Sequence, residues 1–301
     1  MSEIWDRVYK LEVGDPVQIL TIDGFEDEPA QITFRVGMHA DSYMQIAIID
    51  VFGLGRENQS LLYERYTDVR LTAGYRERYG QIFVGTIYNK QISRDGPESY
   101  VRLFCRATGD VWANASVNKS WGNSTPAKEI IEDVAASFGY PVQFIGNFDD
   151  LPRAINGMTI SEDSKAAMRS LARNYSFTWT IENNQMIISR LGAGRESADS
   201  IFRISADTGM VGTPRVNQRG IDVTVKMNPA IRPQDTVEVE NATSELAFNN
   251  PTAASFPDTI GKGRYLVRGV SHVGDYNGDT WDTILEGWDP RVGQLPRTGQ
   301  Y

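Results

Sequence analysis

Hydrophobic and polar residues alternate in short runs through the first hundred positions, a pattern that is typical of β-strands. β-branched and aromatic residues dominate these runs, and turn-forming segments such as 23–29 and 94–98 separate them. Apart from a short turn in ENQSLLYERY (57–66), no helical period occurs here. The pattern predicts an all-β unit of about six strands, a sandwich or barrel. The predicted strands are PVQILTI (16–22), AQITFRVG (30–37), SYMQIAIIDVFG (42–53), DVRLTAGY (68–75), QIFVGTIYNKQI (81–92) and SYVRLFCRAT (99–108).

The period changes to that of a helix near residue 109. Thr125 is the expected N-cap of a first helix, with Pro126 at its first position and Gly139 at its end. Thr159 and Glu162 have the spacing of a capping box for a second helix. Apolar residues of the first helix recur on one face. They are Ala127, Ile130, Ile131, Val134, Ala135 and Phe138.

Strict alternation returns after the second helix and predicts a hairpin around ENNQ (182–185). Residues 109–195 therefore form a predicted helix–helix–hairpin α+β domain. A polar link follows at 192–200, and the β pattern then resumes. The fold class is mainly β with an α+β insert. The expected domains are 1–108, 109–195 and 196–301, and the last carries a long loop at 244–263 and a loose C-terminal tail.

A weak internal echo relates the two β segments. GQIFVGTI (80–87) and GRYLVRGV (263–270) match at the first glycine and in the spacing of their apolar residues. Each follows another predicted strand, through a short link in the first segment and a long insertion in the second. The echo predicts that one fold is used twice.

Composition and charge narrow the function classes. The 301 residues carry a formal net charge of -9, which argues against a duplex DNA binder with a basic face. Cys105 is the single cysteine, so no intrachain disulfide can form, and we expect it in the core. No apolar run is typical of a signal peptide or a membrane helix. We therefore expect synthesis in the cytoplasm and no stable membrane insertion.

A calcium loop is one interpretation of SHVGDYNGDTWDT (271–283). Asp275, Asn277 and Asp279 have the 1-3-5 spacing of an EF-hand, and Glu286 falls at position 12. Glycine falls at position 4 instead of 6, where the sharp turn is needed. We therefore expect no structural metal and no cofactor.

A catalytic site is the other interpretation of the same segment. His272 could pair with Asp275 or Asp282, but no nucleophile motif accompanies them. Asn277-Gly278 favours a type I′ turn between two strands. The segment is therefore predicted to be a hairpin with a structural histidine, and the protein is predicted not to be an enzyme.

The order of these segments resembles that of baseplate hub proteins of contractile-tailed bacteriophages, the family that includes late-control protein D. DVRLTAGYRERYGQIFVGTIYN (68–89) is similar to its strand-turn-strand, and GIDVTVKMNPAIRPQDTVEVEN (220–241) with the 271–283 hairpin is similar to its C-terminal part. The resemblance covers nearly the whole chain. Residues 244–262 depart from it as an insertion.

The resemblance implies two tail-tube-like β-barrel or sandwich domains around a small helix–helix–hairpin domain. It implies a homotrimer with a pseudo-sixfold ring, joining the sixfold tail tube to the threefold central spike and lining the channel for DNA and the tape measure protein. Expected partners are further copies of the chain, the tail tube and spike proteins, and, as additional candidates, the tape measure and other baseplate proteins. No sequence-specific nucleic acid is expected. The expected location is the virion.

Three alternatives stay open at this point. The hub could belong to a non-contractile tail or to a phage-derived injection particle. A hub-associated enzyme would need a further domain, for which the three segments leave no room. A carbohydrate-binding module could use Trp112, Trp121 and Trp179 as stacking platforms.

Two long loops are the expected contact sites. They span 53–66 and 244–263, and we expect them at corresponding places in the two β domains. Loops of this length are commonly functional, and these combine apolar anchors with polar rims, as interfaces do. The predicted interaction residues are Leu61, Leu62, Phe248 and Phe256.

Overall fold

A computed structural model gives the structure of this chain. It describes residues 6–15, 18–25, 29–40, 44–64, 66–95, 98–109, 111–195, 201–217, 220–240, 245–246 and 262–289.

The described residues of the N-terminal β unit form seven strands and one helix. Its side chains alternate between buried and exposed positions, as in β3, so each strand presents one face to a core. All six predicted strands form, and the first strand was not assigned from the sequence. The elements are β1 (Arg7–Gly14), β2 (Ile19–Asp23), β3 (Ile32–His39), β4 (Ile46–Phe52), α1 (Arg56–Glu64), β5 (Asp68–Tyr75), β6 (Arg78–Asp95) and β7 (Glu98–Arg106).

The middle segment, residues 109–195, packs the two predicted helices, α3 and α4, against small sheets, and a short helix α2 precedes them. The predicted apolar stripe of α3 is buried, and the hairpin β13–β14 turns through Asn183 and Asn184, both with positive φ. Strand β10 runs parallel to β14, and β8 pairs with β12. The elements are α2 (Val111–Asn114), β8 (Ser116–Trp121), β9 (Thr125–Pro126), α3 (Ala127–Ala136), β10 (Val142–Ile145), β11 (Arg153–Ala154), β12 (Met158–Asp163), α4 (Ser164–Tyr175), β13 (Phe177–Glu182) and β14 (Gln185–Arg190).

Both helices begin later than their sequence signals indicated. Thr125 pairs with Ala154 in a two-stranded ribbon, so Pro126 occupies the N-cap of α3 without a side-chain hydrogen bond. Thr159 and Glu162 lie in β12, and Asp163 caps α4 instead, accepting a bond from Lys165 N at 2.8 Å. Pairing with β8 and β11 thus overrides the local capping preference.

The C-terminal β unit, residues 201–289, begins with two strands that the sequence analysis left unassigned. A 3₁₀ turn at Ala206–Thr208 separates them. The strands are β15 (Ile201–Ile204), β16 (Met210–Asn217), β17 (Gly220–Lys226), β18 (Thr236–Val239), β19 (Glu245–Leu246), β20 (Gly263–Asp275) and β21 (Trp281–Trp288).

The two β units share one strand order. Neighbouring strands run β3-β4-β7-β6-β5-β1 in the first and β16-β17-β21-β20-β18-β15 in the second. Strands in the same place also follow one another in the same order along the chain. One difference is direction, because β1 is antiparallel to β5 whereas β15 is parallel to β18.

The two β units also have a β-bulge at the same place in the hydrogen-bonded ladder. The pairing of β6 with β7 is interrupted at Tyr88, and that of β20 with β21 at Arg268. Just before each bulge, Ile87 N donates to Thr67 O at 2.7 Å and Val267 N donates to Asp235 O at 2.8 Å. The structure therefore aligns Tyr88 with Arg268.

This alignment corrects the register of the internal echo. Gly80 lies eight residues before the bulge at Tyr88, whereas Gly263 lies five residues before the bulge at Arg268. The sequence comparison therefore selected equivalent strands but matched their glycines three residues out of register. Hydrogen-bond pairing fixes the register of a strand, and a glycine inside it does not. Closer superposition of the two β units on each other than on the middle segment stays a prediction.

The two long loops do not occupy corresponding places. The 53–66 segment joins β4 to β5, whereas the 240–262 segment joins β18 to β20, the counterparts of β5 and β6. The first segment is also a helix, α1, and not a loop. Our expectation of matching loops is therefore wrong on both points.

The described residues form three hydrophobic cores, one for each segment of the chain. A few residues of one β unit lie in the core of the other. Trp281 and Met227 from the C-terminal β unit lie in the N-terminal core, and Met38 from the N-terminal unit lies in the C-terminal core. The middle segment has its own core. Strand β20 pairs with β3, so both β units belong to one large sheet. The domain boundaries at 108/109 and 195/196 stay predictions.

Candidate functional site

The 271–283 segment forms the predicted hairpin, but not the predicted turn. Pairing ends at Gly274–Trp281, and Asp275 N donates to Thr280 O at 2.7 Å around a four-residue loop. Neither Asn277 nor Gly278 has a positive φ, so the type I′ turn does not form. The Asp275 carboxylate holds the longer loop by accepting a bond from Gly278 N at 3.0 Å.

His272 is a structural residue of this hairpin. Its side chain is fully buried, and Nδ1 lies 2.9 Å from Thr283 Oγ1, which also accepts a bond from Asn228 N. Burial lowers the pKa of His272 to about 3, so the ring is neutral near pH 7. A neutral, solvent-inaccessible imidazole cannot exchange protons with a substrate, and the catalytic interpretation of this histidine fails.

The residues of the calcium interpretation do not converge. Glu286 lies along β21, where Oε2 is 3.3 Å from Nε2 of His39 on β3. Asp275 turns its carboxylate into its own loop. Within the described ranges, no group of three or more histidine, cysteine or acidic side chains could hold a metal ion.

The three candidate tryptophans of a carbohydrate platform are core residues. Trp121 and Trp179 are buried, and Trp112 packs against that core. The ring centroids of Trp112 and Trp179 lie 5.8 Å apart, and Phe138 packs against both. A sugar cannot stack on these faces without opening the core, so this alternative loses its basis.

The two predicted contact residues on helix α1, Leu61 and Leu62, differ in burial. Leu62 is fully buried in the N-terminal core, and Leu61 packs against it half-buried. Tyr63 is exposed, and Lys90 Nζ donates to the carbonyl oxygens of Tyr63 and Tyr66 near the end of the helix. Leu62 thus serves the fold, whereas the outer face of α1 stays accessible. Phe248 and Phe256 lie outside the described residues.

An exposed apolar surface lies on β6 beyond its pairing with β5. That pairing ends at Thr86, and only β7 accompanies the strand from there among the described residues. Tyr88 and Ile92 in this stretch are 57% and 54% exposed. An exposed strand edge bearing large apolar side chains is suited to pairing with another chain.

A buried group of charges joins the middle segment to the C-terminal β unit. Arg195 lies 3.5 Å from Glu182 at the end of β13 and 3.5 Å from Asp235 before β18. Arg195 N also donates to Gln234 O at 2.8 Å. Burial raises the pKa of Asp235 to about 6 and raises that of Glu182, while Arg195 and Arg232 act in the opposite direction.

Buried Cys105 is confirmed as a core residue. It is 1% exposed, and burial raises the pKa of its thiol, while Lys90 acts in the opposite direction. A thiol held protonated is unreactive. Among the described residues, no helix has the length and apolar character to span a membrane.

Solved structures place this architecture among the tail proteins of phages. A 43 kDa tail protein of prophage MuSo2 from Shewanella oneidensis matches with a TM-score of 0.61 and 11% identity over 96% of this chain and 100% of that chain. A tail protein from Neisseria meningitidis MC58 gives 0.56 and 9% over 96% and 98%. The c3393 protein of the E. coli type VI secretion system, described as similar to the T4 tail proteins gp27 and gp5, gives 0.55 and 10% over 93% and 76%. The fold is thus that of phage tail proteins and of a component of the type VI secretion system.

The chain belongs to the Baseplate hub gp41 family, whose profile matches residues 17–247. It is a structural component of a bacteriophage tail baseplate, and the resemblance to baseplate hubs is confirmed. A search of curated proteins gave no significant match.

The sequence analysis missed two features that the structure shows. Arg195 was assigned to a flexible polar link, although it is anchored between two buried carboxylates. The bulges at Tyr88 and Arg268 were also missed, because ladder irregularities leave no signal in residue type. An arginine next to Gly194 in a polar link was the available sign of the first, and it is not specific.

Proposed function

We propose that this protein is the hub of the baseplate, in which three copies form a ring of six β units. The ring would join a sixfold tail tube to a threefold spike and line the channel for DNA and the tape measure protein. The observation that carries this proposal is the repeated strand order, β3-β4-β7-β6-β5-β1 and β16-β17-β21-β20-β18-β15.

The repetition supplies the geometry that symmetry matching requires. Two units of one fold in each copy give six similar units in a trimer, and the middle segment distinguishes alternate positions. A closed ring arises when the same head-to-tail contact recurs around an axis. Within one chain, the pairing of β20 with β3 already joins the two β units by one such contact.

The proposal assigns no catalysis, cofactor or metal to this chain. This part of the proposal is supported by the burial of His272 and by the separation of Glu286 from the hairpin loop. The net charge of -9 suits a conduit, because a surface without excess positive charge does not hold DNA through counterion release. We also place synthesis in the host cytoplasm and the mature protein in the virion.

The contact sites at 53–66 and 244–263 are retained as proposals in an adjusted form. Replacing 53–66 by a glycine-serine bridge would remove Leu62 from the core and would test folding rather than contact. The sharper experiment exchanges Tyr63 on the outer face of α1 for alanine, and separately shortens 247–260, which keeps β19 in place. Both variants should fold and lose assembly into tails, whereas infectious particles of normal titre would contradict these contacts.

Solution mass and imaging test the ring itself. Light scattering of the purified chain at increasing concentration should show a trimer, and a tag on the chain should appear at the tube-to-spike junction in electron micrographs of tails. A chain that stays monomeric and is absent from isolated tails would reject the proposal.

A further inference from the structure

Strand β20 has a neighbour on both edges along its length. On one edge, β21 pairs from Leu266 to Gly274. On the other edge, β18 pairs with the first four residues and β3 pairs from Gly269 to Asp275.

Its counterpart β6 lacks one of these neighbours. β7 corresponds to β21, and β5 corresponds to β18, but the pairing of β6 with β5 ends at Thr86 of β6. Among the described residues, no strand takes the place that β3 has beside β20. On that stretch Lys90 N donates to the side-chain oxygen of Asn89 at 2.9 Å.

Equivalent side chains on β20 and β6 differ in solvent exposure. Arg268 and His272 of β20 are 1% and 0% exposed. The bulge alignment makes Tyr88 and Ile92 their counterparts on β6, and these are more than half exposed. Tyr88 and Ile92 are thus equivalent positions that the described residues leave exposed.

We propose that β16 of a second copy of this chain pairs antiparallel with the outer half of β6. The occupant follows from the repeat, because β16 is the counterpart of β3. The inference rests on the proposed ring and specifies the contact that would close it. No other strand among the described residues has the topology of β3.

The repeat also fixes the register. His272 pairs with Val36 within the chain. Val36 lies opposite Ala47 on β4, and Val216 lies opposite Ile221 on β17 at the same position of the ladder. Ile92 of one copy should therefore lie opposite Val216 of the next, flanked by Gln91 with Asn217 and Ser93 with Arg215.

One short strand lies on the edge that this contact needs. β19 runs parallel to β16, with Glu245 beside Arg215 and Leu246 beside Val216. Two pairs make a weak ladder compared with the seven that join β20 to β3. The contact therefore requires β19 to leave the edge of β16 as β6 of the next copy arrives.

A pair of cysteines tests the register directly. In Ile92→Cys/Val216→Cys, diamide should oxidise the two thiols to a disulfide between copies, because directly opposite residues have Cβ atoms about 4.5–5.5 Å apart. The buried native Cys105 stays in place. We expect covalent trimers on denaturing gels, both from purified protein and from tails complemented with the variant.

The matched control is Ile155→Cys/Val216→Cys, which moves one thiol to an exposed isoleucine of the middle segment. It should give less than a tenth of the cross-linked product. Equal cross-linking of the two pairs, or none of the first pair in purified protein and in tails, overturns the contact.

A second variant covers failure of the cysteine pair to fold. Ile92→Asp changes a side chain that is exposed in the single chain, so folding should persist while self-association weakens at least tenfold in light scattering. Ile155→Asp is its control and should associate normally. A trimer indifferent to Ile92→Asp would overturn this contact but leave the ring proposal standing, whereas a monomer absent from tails would reject the ring proposal as well.

Discussion

The indole Nε1 of Trp281 donates a 2.9 Å hydrogen bond to the carbonyl oxygen of Gly74, although the two residues are more than two hundred positions apart. Trp281 is fully buried, and its ring packs edge-on against Phe34 at 5.2 Å. The end of the C-terminal hairpin is therefore part of the N-terminal core. This joins the two β units more firmly than their shared sheet alone.

Trp281→Ala should lower the free energy of unfolding by about 3–5 kcal/mol, the usual cost of removing a large aromatic side chain from a core. Ile284→Ala on the same strand is the control, because Ile284 is partly exposed, and it should cost less than about 1 kcal/mol. Urea denaturation followed by circular dichroism measures both. Equal losses would mean that Trp281 does not hold the hairpin in the core.

Arg7→Met should loosen the hairpin loop. The Arg7 guanidinium donates to the carbonyl oxygens of Asp275, at 3.1 Å, and Asp279, at 3.2 Å, and also to that of Gly278. Bonds from a charged donor contribute about 1.5–3 kcal/mol where they are partly buried, so we expect a loss of that size. Hydrogen exchange at 276–280 should rise.

The control for Arg7 is Arg76→Met. Arg76 makes an exposed ion pair with Asp6 at 3.3 Å, and exposed pairs contribute little. Unchanged exchange in the hairpin of Arg7→Met would show that the loop does not depend on the guanidinium.

His272 should make stability fall in acid. Its pKa is about 3 when folded, and it returns to about 6.5 on unfolding. Between these two pH values the unfolded chain binds a proton at His272 that the folded chain does not bind. The contribution of the neutral imidazole to the free energy of unfolding is therefore complete above pH 6.5 and is lost as the pH falls toward 3. By pH 5 the loss is about 2 kcal/mol.

The measurement compares the wild type with His272→Gln at pH 8 and pH 5. The stability advantage of the wild type should shrink by about 2 kcal/mol on acidification. Asp235 has a raised pKa and acts in the opposite direction, but it is present in both chains and cancels. A constant difference between the two chains would contradict burial of a neutral imidazole.

Arg195→Met should destabilise the junction most at alkaline pH. It leaves Glu182 and Asp235 buried without their shared cation, and breaking a buried pair costs about 3–5 kcal/mol. Both carboxyls have raised pKa values when folded, so protonation near pH 5 should relieve part of this loss. Unfolding at pH 8 and pH 5 tests the prediction.

The matched variant for Arg195 is Arg195→Met/Glu182→Gln, which removes one of the two stranded charges. It should recover part of the stability at pH 8. If the single and double variants are equally stable at every pH, Arg195 does not neutralise these carboxylates.

Local pattern decided much of the secondary structure. The alternation of β3, the apolar stripe of α3 and the β13–β14 hairpin all follow from which residues can be buried on one face. The order of these elements was enough to identify the baseplate hub family. Helix starts failed where a strand pairing competed, as at Thr125 and Thr159.

Tertiary structure decided everything that depends on residues distant in the chain. No local pattern places Trp281 under Gly74, Arg195 between two carboxylates, or β3 against β20. The same holds for Leu62, which lies in a segment predicted to be a loop but whose side chain the N-terminal core encloses. Hydrophobic periodicity states which face of a strand is buried, whereas pairing and register are set by the backbone partner that the folded chain brings to each edge. The open edge of β6 is visible for that reason only in the structure.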